Sequence, residues 1–132
     1  MPGEWVPHER TIVCWPARTS LWGDQMVRAK AAHAATILAI SRSEPVLVVA
    51  RPGAGPEAVR ASERSGPFEV EVVEEPIDDS WIRDNGPIVV TDAHGRRAAI
   101  DFGFNGWGEK FQPYDDDAAL AGRLCERLDL VL

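Results

Sequence analysis

Residues 45–50, Pro45-Val46-Leu47-Val48-Val49-Ala50, form an unbroken apolar run. A strand with one wet face alternates apolar and polar residues. A run without alternation reads as a strand buried on both faces, the situation of a parallel sheet covered by helices. The neighbouring segments fit that frame. Residues 10–15 (RTIVCW) read as a short buried strand, ended by Pro16, which cannot donate to a sheet ladder. Residues 24–42 read as a helix with Asp24 as N-cap and Val27, Ala31, Ala34, Ala35 and Leu38 on one face. A second helix is predicted over 56–65, with Pro56 in its first turn and Gly66 at its stop. FEVEVVE (68–74) then alternates as a strand.

The second half is punctuated differently. EPIDDSWIRDNG (75–86) is turn-rich. PIVVT (87–91) and RRAAIDF (96–102) flank Asp92-Ala93-His94-Gly95 and predict a hairpin with a four-residue connection. Residues 103–114 form a glycine- and aromatic-rich loop. Asp115, Asp116 and Asp117 open a last helix striped by Leu120, Leu124 and Leu128. LDLVL (128–132) reads as a helix end running into a strand. An unpaired apolar strand leaves a sticky edge, so the sequence reads as truncated and the isolated chain is expected to self-associate. The order is βαβ-like and then ββαβ, which makes the class α/β.

The chain has 132 residues, 45% hydrophobic and 27% charged, enough for one compact domain or a piece of a larger one. A formal net charge of -7 argues against general nucleic-acid binding, which needs a basic surface, and permits a small cationic ligand. The opening MPGEWVPHER lacks a signal-type apolar core, and no run approaches the roughly 18 apolar residues of a membrane span. The expectation is a cytoplasmic protein with reduced thiols. Cys14 and Cys125 are far apart and read as structural residues. No His/Cys spacing points to zinc, and no glycine-rich nucleotide fingerprint follows a strand, so no cofactor is expected. Asp78, Asp79 and Asp84, or Asp115 to Asp117, offer oxygens for magnesium; the second cluster reads better as complementing a helix N-terminus.

Two segments have the chemistry of a binding site. In Asp78-Asp79-Ser80-Trp81-Ile82-Arg83-Asp84-Asn85-Gly86-Pro87, acids and a tryptophan share one loop between strands. A carboxylate accepts two parallel N–H bonds from a planar guanidinium, and an indole face lies against the same cation. Asp84 and Trp81 suit those two tasks, although aspartates and Asn-Gly also simply cap and turn chains. In Asp101-Phe102-Gly103-Phe104-Asn105-Gly106-Trp107-Gly108-Glu109-Lys110, three glycines allow tight backbone paths and the aromatics can wall a pocket or merely cover the core.

With the opening MPGEWVPHERTIVCWP, these segments resemble the agmatine deiminases and the related bacterial peptidyl-arginine deiminases. DDSWIRDNGP is similar to that family's DSWxRDxGP, and FNGWGEK to its FNxWGxK. The resemblance covers nearly all of this chain but only the first part of a full-length member. It implies a pentein-type α/β propeller of ββαβ modules, here partial, with the site on the pseudo-fivefold axis. It also implies the reaction: a thiolate attacks the guanidinium carbon, a histidine shuttles protons, ammonia leaves and water releases a ureido product. Asp84 matches an acid that grips the guanidinium and is assigned to catalysis and substrate binding. Trp81 matches a residue lining the same pocket, and Trp107 and Asn105 lie in the second motif as further substrate-binding residues. The implied partner is a small guanidino compound, with no nucleic acid or membrane and with room for a homo-oligomer. The family's nucleophile and histidine motifs have no counterpart here: Cys14, Cys125, His8, His33 and His94 do not match them. The reading requires Asp84 to face an interior cavity. The alternatives are a peptidyl-arginine or arginine deiminase relative, or a non-catalytic α/β binding module.

Overall fold

The computed structural model describes residue 3, residues 5–63 and residues 66–132. They fall into two compact units, His8–Ser80 and Trp81–Leu132, the latter grouped with the residues up to Pro7.

The unit His8–Ser80 is built on the predicted apolar run. Strand β1 (Thr11–Cys14), β2 (Val46–Ala50) and β3 (Val70–Glu74) form a parallel sheet in the order β1-β2-β3. Thr11 is opposite Val46, and Val46 is opposite Val70. β2 is therefore central, and all five of its residues are buried. Each such Val or Leu contributes roughly 1.5–3 kcal/mol relative to an exposed one. Val46, Val48 and Ala50 pack with Trp15, Ile37 and Ala58 in one core cluster. The intervening Leu47 and Val49 are equally buried, as an unalternating run demands.

The connections are helical. After α1 (Thr19–Trp22) and a 3-10 turn (Gly23–Gln25), α2 runs Met26–Ile40 and α3 runs Gly55–Ser62. Two sequence expectations are corrected in α2. Asp24 is not its N-cap: it sits in the 3-10 turn, Gln25 precedes the helix, and no side chain caps it. Nor do Val27, Ala31 and Ala35 face the core; all three are exposed, whereas Ala29 and Ile37 are buried and Ala34 and Ile40 pack on the cluster. Alanines on every side leave the apolar period without a clear face, so the bulkier isoleucines decide the docking. Pro56 does stand in the first turn of α3. The predicted end of that helix at 64–65 lies outside the described residues. Gly66 has a different task from stopping a helix. Its N–H donates to Ser41 Oγ at 2.7 Å, and a Cβ there would collide with the Ser41 carbonyl.

Glu44 ties the start of β1 down. Its carboxylate accepts from the Thr11 hydroxyl and lies 3.1 Å from His8 Nδ1. The Thr11 hydrogen bond above all holds Glu44 below its ordinary pKa of 4.5; burial opposes it, and His8 adds to the lowering. A depressed folded pKa means stability that is present above pH 4.5 and lost as pH falls through the folded value. Glu44→Gln should therefore flatten the acid limb of the stability curve, read by urea unfolding at neutral and acid pH. An unaltered acid limb would show that Glu44 contributes nothing to it.

In the unit beginning at Trp81, one helical turn, α4 (Ile82–Asn85), precedes the antiparallel hairpin of β4 (Ile88–Thr91) and β5 (Arg97–Ile100). The hairpin connection spans five residues, 92–96, rather than four. Asp92 organises it by accepting from the backbone N–H of His94 and Arg96. The short α5 (Gly106–Glu109) follows, then α6 (Asp115–Ala118) and α7 (Leu120–Arg127). Leu120 and Leu124 are buried and Leu128 is half-buried, as the stripe predicted. The expected terminal strand is a single parallel bridge from Val131 to Ala98. Among the described residues no helix is long and apolar enough to cross a membrane.

Candidate active site

The loop DDSWIRDNGP divides into two kinds of acid. Asp79 is fully buried. It accepts from the backbone N–H of Ala17 and Arg18, and the Trp22 indole N–H lies 3.0 Å from both its oxygens. Asp78 lies 3.8 Å from the Arg18 guanidinium, with both side chains 11% exposed. These two acids hold the segment after β1, and their oxygens are engaged by protein donors. Among the described residues no cluster of three metal-ligating side chains occurs.

Asp84 is different. In α4, Arg83 and Asp84 are exposed while Asn85 is buried, as a single helical turn with one inward face requires. The Asp84 backbone N–H donates to the Trp81 carbonyl at 2.8 Å, which closes the turn. Its carboxylate is not spent on that turn. The expectation that Asp84 faces an interior cavity is not met in this chain, where the residue is exposed. A surface depression of about 470 Å³ is lined by Glu109, Gln112, Pro113, Tyr114 and Asp115, and by none of the four predicted site residues.

The two motifs nevertheless meet. The Trp81 ring lies 5.4 Å from that of Trp107 at an interplanar angle of 83°. Phe104 and Phe111 also pack edgewise on Trp107, at 5.0 and 5.5 Å. Such perpendicular contacts match the positive edge of one ring to the negative face of another. Trp107 is half-exposed at their centre, at 43%.

Its backbone is unusual. Gly106, Trp107, Gly108 and Glu109 all have positive φ, at 62°, 56°, 78° and 63°, so α5 is a left-handed turn. Left-handed geometry costs roughly 1–2 kcal/mol for each residue with a side chain, here Trp107 and Glu109. Glycine at 106 is obligatory twice over: besides its φ, a Cβ would lie 2.5 Å from the Phe111 carbonyl oxygen and 2.8 Å from Tyr114. Asn105 Oδ1 accepts the Gly108 N–H at 2.9 Å and so caps the turn. Sequence reasoning noted the glycines but missed the handedness; alternating glycines after an asparagine were the available signal.

Asn85 was also missed. It is buried, and among the described residues neither end of its amide has a partner.

The cysteines and histidines lie elsewhere. Cys14 and Cys125 are buried and free of disulfides. Burial, then the Asp101 carboxylate, push the Cys125 thiol up, the wrong direction for a nucleophile. His33 Nδ1 lies 2.9 Å from the Ala29 carbonyl of its own helix, and His94 sits in the hairpin turn.

Comparison with known families decides the membership. The Porphyromonas-type peptidyl-arginine deiminase model matches residues 1–131. The chain belongs to this family. It is 39% identical over 130 residues to the agmatine deiminase of Pseudomonas aeruginosa, an alignment that covers 96% of this chain and 34% of that protein. The structure of Enterococcus faecalis agmatine deiminase superposes with a TM-score of 0.89 at 32% identity, covering 99% of this chain and 36% of the other. The C315S agmatine deiminase of Campylobacter jejuni with substrate bound gives a TM-score of 0.83 at 27% identity, over 98% and 37% of the two chains. The deiminase-family chain thus spans about a third of the length of the relatives it matches, and its α/β fold is theirs.

Proposed function

We propose that this chain supplies the guanidinium-gripping part of an agmatine deiminase. The full-length protein hydrolyses the guanidinium C–N bond of agmatine to N-carbamoylputrescine and ammonia, through a cysteine thiouronium intermediate, and so serves putrescine formation in the cytoplasm. The observation that supports this reading is the packing of Trp81 on Trp107, with Asp84 exposed three residues after Trp81 in the same unit. Asp84 holds the guanidinium plane, and the indoles of Trp81 and Trp107 wall it; Asn105 contributes to the same pocket.

The chemistry needs such a grip. A guanidinium is a poor electrophile because its charge is delocalised over three nitrogens. A carboxylate that fixes its plane and localises that charge presents the carbon for attack. In this reading the thiolate, the histidine and the remaining pocket walls come from parts of the protein other than these residues, closing a pentein-type propeller over Asp84. The burial of Cys14 and Cys125 supports assigning the nucleophile elsewhere. No cofactor enters.

The relatives' names favour agmatine over peptidyl-arginine, although the family's own name is that of the peptidyl substrate. Full-length protein incubated with agmatine, free arginine and an arginine peptide should release ureido product from agmatine with the highest kcat/KM, by at least about tenfold. Preference for the peptide would overturn the substrate assignment.

A further inference from the structure

We infer that Asn105 is a positioning residue: it acts on the guanidino substrate through Trp107, by capping the left-handed turn that aims the indole. The inference rests on Trp107 being a wall of the proposed pocket and goes beyond it by assigning the neighbouring residue a different role from direct contact.

Asn105 Oδ1 is the side chain's one acceptor atom, and a cation would need it. That oxygen receives the Gly108 N–H at 2.9 Å, which commits one of its two lone pairs to the turn. The amide Nδ2 is only a donor and cannot bind a guanidinium. Meanwhile the Asn105 carbonyl accepts from Glu109 N–H at 2.8 Å, so one residue closes the turn through both backbone and side chain. Between these two bonds lies Trp107, a non-glycine residue at φ 56° and ψ 50°. Right-handed geometry would swing its ring away from Trp81. Gly108 has open space where a Cβ would be, so only its φ of 78° demands glycine. The turn is thus kept left-handed by the cap and by backbone freedom at Gly106 and Gly108, and its product is the 5.4 Å approach of the two indoles.

The test reads the indole N–H resonances of the 15N-labelled 132-residue chain. Asn105 is exposed, so its replacement leaves the core intact. Asn105→Ala should move the Trp107 and Trp81 signals and leave Trp15 and Trp22, in the other unit, in place. Asn105→Asp keeps an acceptor oxygen and should return them to the native positions. Gly108→Ala should reproduce the alanine effect by acting on φ alone. An unmoved Trp107 signal in Asn105→Ala overturns the inference. Loss of the Trp15 and Trp22 signals as well would overturn it too, since positioning is confined to the turn. Agmatine added to the same variants of the full-length protein separates this inference from the broader reading. A tenfold weaker response in Asn105→Ala, rescued in Asn105→Asp, supports positioning; native affinity in the alanine variant with a displaced indole overturns it. Absence of any agmatine response in the native full-length protein counts against the proposed pocket, and the indole shifts still decide the role of Asn105.

Discussion

Asp84→Asn in the full-length protein is expected to lower kcat/KM for agmatine by about a thousandfold and to leave the melting temperature unchanged. The two halves of that expectation come from one observation. Asp84 is exposed, and its carboxylate takes no part in closing its own turn, which rests on the backbone bond from its N–H to Trp81. Replacing it by asparagine therefore breaks nothing in the fold. The catalytic loss follows from charge. Asparagine offers one neutral oxygen where a guanidinium had two charged ones, so the bidentate geometry and the charge assistance go together. Removing a single preorganised electrostatic partner from a reacting group typically costs a factor of about 10² to 10³. Steady-state release of ureido product and a thermal melt on the same sample check both halves. Turnover within about threefold of native would remove Asp84 from the chemistry. A large fall in melting temperature would make it a structural acid after all.

How much of this was legible in the sequence varies with the physics of each segment. PVLVVA announced a strand buried on both faces because five consecutive apolar residues fit little else, and β2 is the centre of the sheet. The hairpin was equally plain, since two β-rich segments flank a cluster of turn residues. Helix α2 was found, but its buried face only in part: Ala34 packs on the core and Val27, Ala31 and Ala35 do not. Its alanines are nearly neutral as to burial, so Val27 was assigned to the core and is 78% exposed. The motif DDSWIRDNGP pointed to a site from residue types alone, yet its spacing could not sort the acids. Which aspartate is buried depends on donors that arrive from Ala17, Arg18 and Trp22, some sixty residues earlier in the chain. The pairing of Trp81 with Trp107 is likewise a tertiary fact, whereas the left-handed turn at Trp107 is local and its alternating glycines were there to be read.

That sorting yields the second large effect. Asp79→Ala should destabilise the unit His8–Ser80 by about 3–5 kcal/mol, because each buried donor left without an acceptor costs roughly 1–3 kcal/mol. The Asp79 carboxylate is fully buried and receives the Ala17 N–H at 3.2 Å, the Arg18 N–H at 3.4 Å and the Trp22 indole N–H at 3.0 Å. Alanine removes both acceptor oxygens at once and leaves these buried donors without their partner. Asp79→Asn should cost less than alanine but more than nothing, since one oxygen remains and the new amide N–H faces donors. Domains are commonly stable by about 5–15 kcal/mol, so the alanine variant should lose a large part of its cooperative unfolding transition. Trp22 supplies the readout: its fluorescence reports the loss of the indole hydrogen bond in the same urea titration that measures stability. A cost below about 1 kcal/mol would mean that water replaces the carboxylate at little penalty, and that the buried acid is not what holds the segment after β1. Set beside Asp84→Asn, the pair of variants separates two acids five residues apart in one motif, one that the fold requires and one left available for a substrate.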